Sequence, residues 1–374
     1  MNITNIPNNK RPEALYIHTP FCEHICYYCD YTRILLSGQN VDLYLTALEN
    51  ELTSYQVGNV STIYIGGGTP SALDEVAFKR LFQMVDPYRK GVKEFTVEVN
   101  VENLTENKLL IMKNHGVNRL SIGVQSLHDE TLKKAGRYHT AGEAIKMINL
   151  AKSLGFNNIS VDLIYGLPNQ TLEELSEDID LYLALDLPHI ATYALSVAPH
   201  TMFKNLLVEE VSDEMSRMMF DLILNKLRAH GYRRYEVSTF AKQGYECQHN
   251  LTYWNDEEYY GIGLGAGGYV NGVRYLNTKN LSSYNKGNYR LEVDEVNPAS
   301  RIEYFLLTNL RKADGFSLLK FKEVTNLDFS ELFAKPLVNL VKYGLIEISN
   351  DRVFCSDEGL MKLDYVLFSL IKDL

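Results

Sequence analysis

The chain is poor in tryptophan, cysteine and positive charge, and it has no long apolar run. No stretch approaches the roughly 18 apolar residues of a membrane span. The opening MNITNIPNNKRPEA has neither the basic start nor the apolar core of a signal peptide, so residence in the cytoplasm is expected. Five cysteines, three of them within eight residues, do not make a secreted disulfide framework, and exposed thiolate ligands suit a reducing compartment. With 37 Lys and Arg against 47 Asp and Glu, the net charge of -10 argues against nucleic acid or anionic lipid as a partner held by general attraction. Trp254 is the single tryptophan beside 25 tyrosines. No low-complexity linker interrupts the 374 residues, so two coupled domains are expected.

What is present is organised around YIHTPFCEHICYYCDY, residues 16–31, where Cys22, Cys26 and Cys29 form a C-x3-C-x2-C triplet after a short apolar run. Soft thiolates select zinc, copper or iron-sulfur clusters. A structural zinc site asks for a fourth Cys or His, and apart from His24 inside the loop the further cysteines, Cys247 and Cys355, are remote. A cubane normally takes four cysteines, so three suggest a cluster with one open iron, a reaction site.

Six short β-rich runs precede residue 200: 14–19, 62–66, 95–100, 119–125, 159–166 and 190–196. Each is nearly continuous in apolar residues, as strands covered on both faces are, and helical periodicity fills the gaps, the pattern of parallel βαβ units. Residues 41–55 place Leu45, Leu48 and Leu52 on one face while Glu49 and Glu51 are expected on the other. Residues 171–187 open with Thr171 and Glu174 in the spacing of a capping box. Ser212 and Gly231 bracket a helix over 212–230, and the first domain is expected to end there, as 1–231 followed by 232–374. The fold class is α/β: a partial (β/α)6 TIM-like barrel with a C-terminal α+β domain.

In such a barrel the reactive groups lie at the C-terminal ends of the strands. The cysteine loop follows the first strand. Gly66, Gly67, Gly68, Thr69 and Pro70 follow the second, where missing side chains permit close backbone approach to a ligand. Glu98, Gln125, Arg137 and Asp162 lie at or after the next three strand ends. Each alone is ordinary barrel polarity; together they suggest a cleft with directed polar partners. Beyond 231 come aromatic and glycine-rich segments, including CQHNLTYW and GIGLGAGG; the latter lacks the G-x-G-x-x-G spacing and is read as close-packed backbone. The last stretch ends in a hairpin and helix pattern over 345–364, winged-helix-like in outline. Residues 298–374 carry ten Lys or Arg against eleven Asp or Glu, so packing or partner docking is expected there rather than DNA binding.

The triplet with its flanking Tyr16-x-His18-x-Pro20-Phe21-Cys22 resembles the radical S-adenosylmethionine (radical SAM) superfamily, in its coproporphyrinogen III oxidase-like branch. The resemblance spans nearly the whole chain. It implies a 4Fe-4S cluster on Cys22, Cys26 and Cys29, and SAM lined by Tyr16, Tyr28, Gly67, Gly68, Thr69, Glu98, Gln125, Arg137, Asp162 and Ala194. It also implies an electron donor such as flavodoxin or ferredoxin. The family often has Asn-Pro after the third-strand Glu, where this chain has Asn100-Val101. Within the branch, oxidases carry a fourth cysteine two residues after the third and a longer N-terminal cover; here Tyr31 stands at that position and 13 residues precede the first strand. The HemW-like haem chaperones lack that cysteine and carry HN-x-x-YW, matched by His249-Asn250-Leu251-Thr252-Tyr253-Trp254. The resemblance therefore implies haem as cargo for haem-accepting proteins, with His249, Tyr253 and Trp254 as candidate haem contacts and Cys247 as the competing ligand. A porphyrinogen oxidase or another radical SAM enzyme, such as a methyltransferase, remains the alternative.

Overall fold

The computed structural model describes residues 11–372 and 374, so the signal-peptide reading of the first ten residues lies outside the described part. Six parallel strands form the centre: β1 (Ala14–Thr19), β2 (Thr62–Gly67), β3 (Glu94–Asn100), β4 (Arg119–Gln125), β5 (Asn158–Tyr165) and β6 (His189–Ala194). Ile17, Ile63, Ile65, Val97, Leu120, Ile122 and Val161 along them are almost wholly buried. Their continuous β-branched runs follow from cover on both faces.

Local signals set the helix starts. Asn40 accepts from the Leu43 amide at the head of Val41–Ser54. Thr171 and Glu174 close a reciprocal capping box on Leu172–Ala184. Ser212 caps Asp213–Ala229, which Gly231 leaves with a φ of +82°.

The expected boundary at residue 231 does not divide the packing. Two short strands extend the far edge, β8 (Thr239–Ala241) pairing antiparallel with β6 and β7 (Arg233–Arg234) pairing antiparallel with β8, while β9 (Tyr260–Ile262) lies parallel against the free edge of β1. The nine-stranded order is β9-β1-β2-β3-β4-β5-β6-β8-β7. Tyr232, Phe240, Ile262, Val270 and Tyr284 share the core of the first six units. The reason is physical: β1 would otherwise present an unpaired edge, and residues 260–262 cover it.

Glu51 also departs from expectation. It is fully buried, and its carboxylate accepts from the Gly263 amide (2.9 Å), Tyr284 Oη (2.7 Å), Asn277 Nδ2 (2.9 Å) and Arg290 Nη1 (2.8 Å). All four donors come from the glycine-rich and aromatic segment packed on that helix.

A second core begins at Ile302 and gathers Phe305, Phe316, Phe321, Phe329 and Phe333. Its antiparallel sheet pairs Phe316–Ser317 with Arg352–Cys355 and the latter with Ile346–Ser349, the hairpin turning on Asn350 (φ +48°) and Asp351 (φ +62°), as a type I′ turn requires. Among the described residues, no helix is long and apolar enough to cross a membrane.

Candidate cluster and S-adenosylmethionine site

β1 runs into the cysteine loop at Pro20. Amides of Ile34 and Leu36 donate to the carbonyls of Pro20 and Cys22, each at 2.8 Å, and Tyr27 is tied to Ala135 and Phe203 through its own amide and carbonyl. The loop is thus strapped to neighbouring strand ends. The Gly68 and Thr69 amides donate to Thr19 and Phe21, drawing the turn after β2 against it. Only glycine fits here: Gly67 has φ +114° and a Cβ would lie 2.7 Å from the His18 ring, while a Cβ on Gly68 would lie 2.6 Å from the Pro20 carbonyl oxygen.

Cys22, Cys26 and Cys29 line a cavity of about 400 Å³ together with Tyr16, Tyr28, Gly67, Gly68, Thr69, Glu98, Gln125, Arg137, Asp162 and Ala194. The structure therefore brings the three thiols and the ten other cavity candidates named from sequence into one space, of ligand-pocket size. Glu98 is held by Tyr64 Oη at 2.7 Å and the Gly67 amide at 2.9 Å, and burial pushes its carboxyl above the usual range. Asp162 receives no side-chain hydrogen bond from the described residues. Burial, reinforced by the nearby Glu98 charge, pushes its carboxyl up to about 7.

Arg137 is buried and held rigidly, donating to Glu102 (2.9 Å) and the Gly123 carbonyl (2.7 Å), with Nη1 3.6 Å from Cys26 Sγ. Burial works against the Glu102 charge, but the His139 hydrogen bond and the Arg137 charge overcome it and hold that carboxyl at about 2. Gln125 has φ +75° at a register shift in β4, local strain of the kind stored at functional sites. His18 Nε2 donates to the Thr32 carbonyl and Nδ1 accepts from Tyr16 Oη, so its neutral tautomer is fixed; burial lowers it to about 4.

Asn100, Glu102, Gly123 and His139 were missed as site residues from sequence. Asn100 donates to Thr69 Oγ1 at 3.0 Å, and Glu102 with His139 braces Arg137. Glu102 and His139, four residues after Glu98 and two after Arg137, were too ordinary a signal.

The donor set fits an iron-sulfur cubane. Burial pushes the Cys22 thiol up to about 12 and raises Cys29, so thiolate formation needs the charge of bound metal, which reverses that preference. Among the described residues, no three His, Cys, Asp or Glu side chains converge on one point as a single ion requires. A cubane asks each thiolate to bind a different iron, and all three thiols line the same cavity. Thr69 Oγ1 at 3.3 Å from Cys22 Sγ and Arg137 beside Cys26 supply the polar groups that tune such a cluster.

The residues expected to meet haem do not reach this cavity. His249 is completely buried on Gln248–Trp254; Nδ1 is paired with Thr62 Oγ1 (2.8 Å), Nε2 with Tyr253 Oη (2.7 Å), and the ring stacks on Tyr64 at 5.2 Å. Burial holds it down at about 3. It offers no open nitrogen. Cys247 is equally buried, its thiol pushed up to about 12 and set against Glu94, which also receives the amides of Gln248 and His249. Trp254 packs under Arg311.

A family model for the radical SAM superfamily matches residues 16–182, and one for the HemN C-terminal domain matches 296–361. The chain is thus built as a radical SAM protein, a family that implies a 4Fe-4S cluster and SAM. It is 40% identical to the haem chaperone HemW of Bacillus subtilis over 93% of its own length and 96% of that protein. The HemW of Lactococcus lactis is 38% identical over 94% and 95%, and that of Escherichia coli 35% over 84% and 87%. The chain belongs to the HemW family. The solved coproporphyrinogen III oxidase HemN of Escherichia coli superposes with a TM-score of 0.85 over 98% of this chain and 91% of that one at 22% identity, which establishes a shared fold.

Proposed function

We propose that this chain carries haem and delivers it to haem-requiring proteins in the cytoplasm, loaded with a 4Fe-4S cluster on Cys22, Cys26 and Cys29 and with SAM in the adjoining cavity. The observation that carries the reading is the match to haem chaperones along nearly the whole chain. Tyr31, at the position of the oxidases' fourth cysteine, supports it against porphyrinogen decarboxylation.

When bound, the cluster and SAM supply one-electron chemistry, with a flavodoxin or ferredoxin as donor. The chain's own residues orient and shield. Glu98 is pre-set by Tyr64 and Gly67, so it meets a ligand's donors without reorganising; Asp162 retains acceptor capacity toward amino or ribose hydrogens; Tyr16, Tyr28, Thr69, Gln125, Arg137 and Ala194 complete the walls. We assign His249, with Tyr253 bonded to it, to bracing Tyr64, the donor to Glu98, rather than to iron, because ligation would strip Thr62 and Tyr253 of their partner.

Anaerobic reconstitution tests the assignment. Wild type should gain one cubane by iron count and Mössbauer spectra, take up haem saturably and pass it to an apo-acceptor, and release no carbon dioxide from coproporphyrinogen III with SAM and a low-potential reductant. Joint replacement of Cys22, Cys26 and Cys29 by Ala should leave no cubane. Repeated turnover to protoporphyrinogen would restore the oxidase reading.

A further inference from the structure

We propose that His24, on the cluster loop at the cavity mouth, is the haem ligand, an inference that rests on the haem-carrying function above. Iron ligation requires an imidazole nitrogen that is both accessible and uncommitted. The chain has nine histidines. His18, His189 and His249 are buried with both ring nitrogens hydrogen-bonded. His139 is buried against Glu102, His115 is bonded to Asp86 and stacked on Phe82, and His128 is bonded to the Glu174 carbonyl. His230 is exposed but tied to Lys226, beyond the far end of its helix. His200 is exposed and does not line the cavity.

His24 differs from all of these. It is exposed, lines the cavity, and neither nitrogen is hydrogen-bonded to the described residues; its ring lies 4.1 Å from that of Tyr138, tilted by 33°. Tyr138 and Tyr31 are 64% and 68% exposed, an unusual display of aromatic surface at one mouth. Aromatic faces of this kind offer a porphyrin the broad apolar area that it can bury. Cations for its propionates flank them: Arg33 lines the cavity beside Tyr31, and the exposed Lys133 lines a neighbouring hollow, with Tyr138 on its wall, that shares Arg137 with the cavity. Cys247 and Cys355 are buried and do not compete.

The placement also suits a carrier. A single imidazole at an open rim leaves the opposite axial position of the iron to solvent, where an acceptor's own ligand can attack. A ligand buried like His249 would have to break two hydrogen bonds at every loading and release.

Cluster-loaded protein should be titrated anaerobically with ferric haem, comparing wild type with H24A, H24Q, H200A and H249A, with cluster iron measured in each. The readouts are the iron-imidazole signature by resonance Raman and EPR and the apparent Kd. H24A and H24Q should both lose the signature and bind at least tenfold more weakly with cluster iron retained, and added imidazole should restore the signature in H24A. H200A and H249A should keep it. A signature unchanged in both His24 variants, or lost in H249A alone, overturns the assignment while leaving the chaperone reading standing. Absence of saturable haem binding in wild type overturns both.

Discussion

Glu51 and Asp162 are both carboxylates drawn away from bulk water, and they end in opposite conditions. Glu51 receives four donors, from a backbone amide, a phenol, an amide side chain and a guanidinium, and it has no capacity left. Asp162 faces a cavity and receives none from the described side chains, its carboxyl raised to about 7. Buried polar groups in folded chains are normally satisfied, so saturation marks a joint of the structure and unmet capacity marks a place for a ligand. His249 and His24 repeat the contrast: one imidazole is committed at both nitrogens, the other at neither.

The contrast breaks first at Glu51. Glu51→Ala should cost about 3 kcal/mol of stability, the low end for removing one member of a buried pair because Arg290 keeps some contact with water. Urea denaturation reads it, and SAM affinity of the folded fraction should change less than twofold; a stable variant with impaired SAM binding would reverse the roles given to the two acids. Next, H249A should lose about 2 kcal/mol, since the hydroxyls of Thr62 and Tyr253 are left without their partner, whereas H24A should shift stability by under about 0.5 kcal/mol. Equal losses in the two variants would remove the distinction.

The smallest effect concerns pH. Asp162 titrates near 3.8 unfolded and about 7 folded, so between these values the ligand-free folded chain holds a proton that the unfolded chain has released. Its contribution to stability is fully present below about 4, fades as pH rises to about 7, and is constant above. Bound SAM, a cation, favours the ionised carboxylate, so its affinity should rise through pH 7. D162N should flatten both profiles and weaken SAM by about 1 kcal/mol at pH 8 in calorimetry. A rise in SAM affinity that persists in D162N would place the titrating group elsewhere.

What was legible in the sequence was what depends on near neighbours. The six strands appear at their predicted residues within one or two positions because cover on both faces forces continuous apolar runs, and Thr171, Ser212 and Gly231 act within a few residues of themselves. The cavity residues were readable because parallel βα units put every strand end on the same side. Glu51 was not, since Tyr284 and Arg290 lie 233 and 239 positions away. The closed state of His249 escaped for the same reason, its partner Thr62 standing 187 positions back. That residues 260–262 complete a sheet begun at Ala14 was not legible, because β9 carries only three residues, too few to announce it.

The pairing of β1 with β9 sets an order in time. The strand that leads into the cysteine loop gains its second neighbour only when Tyr260, Gly261 and Ile262 have been synthesised. At about 5–20 residues per second, that wait lasts on the order of tens of seconds after Thr19 has been added. Until then the strand that leads into the cysteine loop has one flank unformed. Closure of the sheet beside the cysteine loop is therefore timed by residues 260–262 rather than by the loop itself.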